Sequence, residues 1–343
     1  MNMIDTIDTS SLKTTIQNAA HIVIIPHLNP DGDAMGSSLG IFHVLKNIGK
    51  KVHVVSPSAY PKFLSWMKGA DEAVNFEEKP QEAIEILHDA DLLVFVDFNC
   101  LKRTGKLEEE IRKLDVSKIM IDHHPYPDPI AEVMISVPSS SSTCELAYQT
   151  LSSLGWNDFV DSCAAECFYT GIMTDTGSLS YNSSNPETYR MVAGLLEKNI
   201  DKDKIHQLVF HSNSFSRMKL LGHVLGSKLV LMPEQEAAYM CLSSKELEAY
   251  DFQPGDTEGF VNYPLGIAGI NVSAFFMEKE GKVKCSFRSR GDFPVNLFSE
   301  SHFSGGGHRN AAGGESVLSL ELTVDKFKTE LPVFYEKFKK NEL

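Results

Sequence analysis

The chain has no apolar run approaching the ~18 residues that cross a bilayer as a helix, so no membrane-spanning segment is expected. It has no N-terminal basic stretch followed by an apolar one, which leaves no readable signal peptide and points to a cytoplasmic protein. Its six cysteines, Cys100, Cys144, Cys163, Cys167, Cys241 and Cys285, are too scattered for a disulfide framework. Cys163 and Cys167 lie four apart on an expected helix, which is no zinc spacing; packing is the simpler role. A reducing compartment follows. Positive charge is scarce: 32 Lys and Arg against 46 Asp and Glu give a formal charge of -14. Proteins that grip long strands or long duplexes do so through many basic contacts to phosphates, and this surface does not offer them. A short anionic substrate held in a local pocket remains compatible with that charge. Internal repeats are absent, and low complexity is confined to the serine run 139–142.

What the chain does have is length and apolar content for two cores. Single cores rarely grow much past ~250 residues, and this chain has 343. Short β-branched runs at 21–25, 51–55, 92–96 and 118–121 read as buried strands. Helical spacing at 39–45, 82–87 and 107–114 separates them. This alternation predicts an α/β domain with a parallel sheet flanked by helices. Further helices are expected over 142–154 and 158–173. Asn185 is a fitting N-cap and Pro186 a fitting first-turn residue for a connecting helix. The expected organisation is therefore a domain over 1–185, a helical linker over 186–226 and a smaller α+β domain with a mixed sheet over 227–343. In the last, strands are expected at 228–232, 237–242, 267–276 and 282–288, with a turn at Glu280-Gly281, and helices at 243–250 and 295–302.

The chemistry-bearing residues cluster at expected strand exits. His27, Asp31 and Asp33 occupy the turn between the first strand and its helix, Asp97 leaves the third strand, and Asp122-His123-His124 leave the fourth. In an open α/β sheet, ligands bind outside the carboxyl ends of the strands. Parallel neighbours lie ~4.8 Å apart, so such ends can converge on one small volume. Mixed imidazole and carboxylate donors suit Mn, Fe or Zn better than Ca. Asp175 ends an expected helix, where the dipole disfavours a carboxylate and a neighbouring cation would explain it. Each residue alone has a plainer reading: Asp31 as an N-cap, Asp97 and Asp175 as turn residues, Asp122-His123-His124 as a polar loop. Taken together they supply enough ligands for two metals, with a carboxylate between them at the ~3.5–4 Å spacing used for in-line attack on phosphorus.

The order His27-x-x-Pro30-Asp31-Gly32-Asp33-Ala34-x-Gly36-Ser37, then Asp97, then Asp122-His123-His124, then Asp175-Thr176-Gly177 resembles the four motifs of the DHH phosphoesterase superfamily. Gly305-Gly306-Gly307-His308-Arg309-Asn310-Ala311-Ala312-Gly313 resembles the signature of the DHHA1 domain that follows DHH in one subfamily. The length and the lack of extra domains are most similar to the stand-alone nanoRNase/pAp-phosphatase group, pAp being 3′-phosphoadenosine 5′-phosphate. The resemblance implies two divalent metals, usually Mn²⁺. His27 and Asp31 would hold one, Asp33, His123 and Asp175 the other, and Asp97 would bridge them. His124 would either support the metal ligands from behind or reach the substrate phosphate, and Asp122 would orient the histidines, so Asp97, His123 and His124 carry the catalysis.

Arg103, six residues after Asp97, is a candidate for positioning substrate. The stretch 305–314 reads as a glycine-rich loop leading into a short small-residue helix, whose N–H groups would bind an anion. Arg288, Gly305, Gly306, Gly307 and His308 would then form a substrate clamp. The expected activity is hydrolysis of short oligoribonucleotides to mononucleotides, of pAp to AMP, or both. A phosphodiesterase for linear or cyclic di-adenylates, a RecJ-like single-strand DNA exonuclease and a catalytically silent nucleotide sensor are the alternatives. A homodimer is left open.

Overall fold

The computed structural model describes residues 9–342. Residues 1–8, part of the stretch read above for a leader, and residue 343, the last of the second domain, lie outside them. Contacts divide the chain into two units, Met1–Ser212 and Asn213–Leu343. Among the described residues, no helix is long and apolar enough to cross a membrane.

The first unit runs α1 (Thr9–Asn18), β1 (His21–Ile25), α2 (Gly32–Asn47), β2 (Lys51–Ser56), β3 (Val74–Asn75), α3 (Pro80–His88), β4 (Leu92–Val96), α4 (Leu107–Ile111), β5 (Ser117–Asp122), β6 (Val133–Ser136), α5 (Thr143–Ser153) and α6 (Ser162–Asp175). Its strands form one parallel sheet in the order β3-β2-β1-β4-β5-β6. β1 and β4 are buried throughout, because both faces of the sheet are covered. Ile22, Ile24, Val94 and Val96 face a core shared with α2, α5 and α6. Val23, Ile25, Leu93 and Phe95 face the other way, onto Ala83 and Leu87 of α3 and Leu107 and Ile111 of α4. Double burial is why these strands read as unbroken apolar runs. The edge strands β3 and β6 escape the sequence pattern because one has two residues and the other is half exposed.

The stretch read as a linker, 186–226, divides between the units. α7 (Pro186–Leu196) and α8 (Lys202–Phe210) belong to the first, where Met191, Leu195 and Ile205 join the core. α9 (Phe215–His223) belongs to the second, where Leu220 and Leu221 pack with Phe260 and Phe275. Amphipathic helices bury their apolar stripe against whichever core is adjacent, so a free-standing connector does not result.

The second unit continues with β7 (Val230–Met232), β8 (Ala237–Leu242), α10 (Ser244–Ala249), β9 (Val272–Lys279), β10 (Lys282–Ser289), α11 (Val295–His302), β11 (Gly306–His308), β12 (Ala311–Ser316) and α12 (Leu320–Lys339). The sheet order is β11-β12-β10-β9-β8-β7, with β8 and β9 parallel and the other pairs antiparallel, as a mixed sheet requires. The β9–β10 hairpin turns at Glu280 and Gly281, both at positive φ, which suits the twist of the flanking strands. β9 begins at Val272, later than expected, because the tight helical turns of Phe260–Gly266 run on into a turn with Gly269 at φ 81°. On β10, Val283, Cys285 and Phe287 alternate inward against Phe298 of α11 and Phe327 and Leu331 of α12.

One expectation fails here. The stretch 305–314 is not a loop opening a helix; it is the hairpin β11–β12, turning at Arg309 and Asn310. Its glycines answer to close packing. A Cβ on Gly305 would lie 1.9 Å from the Gly313 carbonyl oxygen, and one on Gly314 would lie 2.6 Å from that of Phe303. Paired strands also spend their N–H groups on each other, so the anion-cradle argument loses its basis.

Candidate metal centre

In the first unit the chain leaves β1 toward β2 on one side of the sheet, and leaves β4 toward β5 on the other. The carboxyl ends of β1 and β4 therefore frame a switch point, where a crevice forms. The loop after β1 is pinned over it. Leu28 donates its N–H to the Arg103 carbonyl at 2.6 Å, and Asn29, at φ 53°, donates its N–H to Ser58 Oγ at 2.7 Å. Asp31 Oδ1 caps α2 by accepting from the N–H groups of Asp33 and Ala34 at 3.0 and 3.1 Å. The plain N-cap reading of Asp31 is thus correct as far as it goes. His27 Nδ1 lies 2.8 Å from the Leu28 carbonyl oxygen, which can only accept. Nδ1 therefore carries a proton, and Nε2 lies 3.4 Å from Asp97 Oδ2 and 3.9 Å from Asp31 Oδ1.

Asp97 follows β4 directly and adopts a left-handed backbone, φ 65°, with its N–H bound to the Ile121 carbonyl at 3.1 Å. That conformation costs an L-residue on the order of 1–2 kcal/mol, least for Asn and Asp. Its two oxygens face different neighbours: Oδ2 faces His27, while Oδ1 lies 3.7 Å from His123 Nε2 and 3.6 Å from His124 Nδ1. His123 Nδ1 donates to the Ser140 carbonyl at 3.2 Å, which aims Nε2 at Asp33, Asp97 and Asp175, 3.8, 3.7 and 3.6 Å away. His124 Nδ1 donates to Asp122 Oδ1 at 2.7 Å, while Asp122 Oδ2 is buried with no hydrogen-bond partner among the described residues. Burial and then the Asp97 charge push the Asp122 carboxyl up to about 6.

Close helix packing brings Asp33 and Asp175 together. A Cβ on Gly36 of α2 would lie 2.6 Å from the Cys167 carbonyl oxygen of α6, and one on Gly171 would lie 2.1 Å from Cys144 Sγ and 2.9 Å from Asp33 Oδ1. The Asp33 carboxylate is held by the first turn of α5, accepting from the N–H of Thr143 at 2.6 Å and of Cys144 at 2.8 Å.

The structure thus gathers His27, Asp31 and Asp97 into one cluster and Asp33, His123 and Asp175 into a second, while Asp122 and His124 form a third with Asp97. The N···O gaps of 3.4–3.9 Å are too long for good hydrogen bonds. They approach the ~3–3.5 Å expected between ligand atoms that each sit ~2.1 Å from one cation. Charge argues the same way. Burial, then Asp97 and Asp175, push the Asp33 carboxyl well above the usual range. Burial alone would lower His123, but Asp175, Asp33 and Asp97 drive it up to about 9. Buried carboxylates brought together at this cost, facing imidazole Nε2 atoms aimed by their Nδ1 hydrogen bonds, fit divalent cations of the Mn, Fe or Zn kind.

Arg103 sits on the short turn Leu101–Thr104, where its charge reaches His27 and Asp122. In the second unit, Arg288 of β10 pairs with Ala311 of β12, which pairs with His308 of β11. Arg288 and His308 are therefore level on one face of the sheet, two strands apart. Gly305, Gly306 and Gly307 enter or form β11 beside them. The sequence reading missed Ser140, Thr143 and Cys144; the pattern Ser142-x-x-Glu145 marks a helix start and was the available signal.

Residues 21–172 match the model of the DHH family, N-terminal domain, and residues 237–331 match that of the DHHA1 domain. The chain is 31% identical over 313 residues to the bifunctional oligoribonuclease and PAP phosphatase NrnA of Thermus thermophilus, covering 88% of this chain and 85% of that one. It is 25% identical over 307 residues to the protein of the same name from Bacillus subtilis, covering 89% and 92%. Among solved structures, an exopolyphosphatase-related protein from Bacteroides fragilis superposes with a TM-score of 0.93 at 38% identity, covering 98% of this chain and 99% of that one.

Proposed function

The chain belongs to the DHH phosphoesterase family and carries a DHHA1 domain, and from that premise we propose that it is a Mn²⁺-dependent hydrolase that takes mononucleotides from short oligoribonucleotides and converts pAp to AMP. The observation that carries the reading is the buried Asp97, whose two carboxylate oxygens face two separate donor sets. His27 and Asp31 would hold one divalent ion, Asp33, His123 and Asp175 the other, with Asp97 shared. Two such ions, when bound, supply positive charge to the phosphoryl oxygens and make an attacking water more acidic.

The protein's own residues prepare that step. The Leu28 and Ser140 carbonyls accept from Nδ1 of His27 and His123, so Nε2 is the nitrogen that each ring would give to a metal. Asp122 fixes the ring of His124, which then offers its other nitrogen to a phosphate oxygen. Arg103 in the first unit, and Arg288 with His308 in the second, would bind substrate phosphates. Likeness to two oligoribonuclease and PAP phosphatase proteins over most of both chains supports the choice of substrate. The acidic composition agrees with a short substrate.

The test is a product assay on metal-stripped protein with added Mn²⁺ and an EDTA control. The panel holds di- to penta-ribonucleotides, single-stranded DNA, pAp, linear and cyclic di-adenylates and, because of the Bacteroides protein, tripolyphosphate. Metal-dependent release of mononucleotides from the shortest RNAs, with pAp also hydrolysed, is the expected outcome. Preference for the di-adenylates, DNA or tripolyphosphate would replace the substrate assignment. Nucleotide binding without turnover of any of them would overturn it in favour of a sensor.

A further inference from the structure

The serine run, which the sequence offered only as low complexity, is built into the acidic cluster. It leads from the end of β6 into the first turn of α5, and residues 140–145 are all buried. Ser140 gives its carbonyl to His123 Nδ1. Ser142 caps α5, its Oγ accepting from the Glu145 N–H at 3.0 Å. Glu145 turns back on the strap: its Oε2 accepts from the Ser141 N–H at 3.2 Å, from the Ser141 hydroxyl, and from Thr188 Oγ1 of α7 at 2.9 Å. A strap anchored at both ends is rigid, and one residue on it touches both donor sets. The Thr143 N–H donates to Asp33 Oδ2 at 2.6 Å, and its hydroxyl donates to Asp97 Oδ1 at 2.9 Å.

We propose that Thr143 is a positioning residue for the metal centre, holding Asp33 through its backbone and Asp97 through its hydroxyl so that the two donor sets keep a fixed spacing. This rests on reading the cluster as a metal centre. Asp97 needs such a restraint more than the other ligands do. It stands on a left-handed backbone at the end of a strand, and its two oxygens must face different ways at once. The hydroxyl occupies one lone pair of Oδ1 and leaves the rest of that oxygen toward His123. An outer partner of this kind typically changes metal affinity 10–100-fold when removed. A threonine placed here only to fill space would make the same packing contacts as valine.

The experiment titrates Mn²⁺ into metal-stripped wild type, Thr143→Ser and Thr143→Val by calorimetry, with the melting temperature of each metal-free protein as the folding control. Electron paramagnetic resonance of the loaded proteins reads whether the two ions are spin-coupled. Wild type and Thr143→Ser are expected to bind alike and show the coupled signal. Thr143→Val is expected to bind 10–100-fold more weakly and to lose part of the coupled signal. Thr143→Ala, which removes the hydroxyl without adding bulk, replaces the valine variant if that one does not fold. Equal affinity in wild type and the hydroxyl-less variant overturns the positioning role while the metal-centre reading stands. Equal weakening in Thr143→Ser and Thr143→Val also overturns it, because packing rather than the hydroxyl would then be responsible. If wild type itself takes up no Mn²⁺, the positioning role falls together with the reading it rests on.

Discussion

Asp33 in the first unit and Glu246 in the second are both first-turn acids of helices, at α2 and α10, yet their surroundings drive them in opposite directions. Glu246 closes a capping box with Ser243 and meets His223 at 2.9 Å and Lys228 at 3.0 Å. Burial opposes its charge, but these donors outweigh burial and hold the carboxyl down at about 2. Asp33 is more deeply buried, and Asp97 and Asp175 add to burial in pushing it well above its ordinary value. One acid is satisfied by donors the chain itself provides and contributes to stability. The other is held among acids, an arrangement that makes sense when a cation comes from outside.

The strongest way to break this contrast is to remove the shared acid. Asp97→Ala should abolish turnover, a larger loss than the 10–100-fold expected for an outer partner, with the metal-free protein still folded. Initial rates on a diribonucleotide with Mn²⁺, beside circular dichroism, decide it; a variant as active as wild type would end the two-metal reading. Next in size is the metal response itself. At a hundredfold excess over its Kd, an ion that binds only the folded state stabilises by about 2.7 kcal/mol. That gain should appear in hydrogen exchange of the first unit, vanish with EDTA and leave the second unit unchanged. Protection spreading equally through β8–β10 would mean that the acids of the first unit are not where the metal goes.

The two units also differ in how far their sequence could be read. The β1 and β4 runs, and His27, Asp31, Asp33, Asp97, His123 and Asp175 at element ends, were legible because buried parallel strands leave continuous apolar runs and functional groups collect where those runs stop. The serine strap was not legible, since its role lies in backbone N–H and carbonyl groups that any residue carries. The glycines of 305–314 were misread because glycine looks the same whether it frees a loop or lets β12 lie close under α11. Arg288 and His308 come level only through the register of three strands, one of them three residues long.

Gly314→Ala tests the corrected reading of that hairpin. The added methyl would meet the Phe303 carbonyl oxygen at 2.6 Å and Ser299 Oγ at 2.8 Å, and overpacking of this kind costs typically about 1–3 kcal/mol. Urea unfolding should show the loss at any pH, with or without metal. Unchanged stability with weakened nucleotide binding would restore the anion-loop reading instead.

The smallest expected effect lies at Glu246, and its sign is fixed by the direction of the shift. Its folded pKa, about 2, is below that of an unfolded glutamate, about 4.3. The stability it contributes is therefore fully present above the unfolded value and is lost as pH falls from about 4.5 toward 2. Glu246→Gln removes the titration but keeps the shape, so it should be less stable than wild type at pH 7 by about 1 kcal/mol, the usual scale of a cap with a partly exposed ion pair. The gap should close as the pH approaches 2. Melting curves of both proteins at pH 7, 4 and 2.5 measure it. A gap that stays constant would assign the stabilisation to contacts that the protonated acid keeps and the amide lacks, and the contrast with Asp33 would then be one of packing rather than of charge.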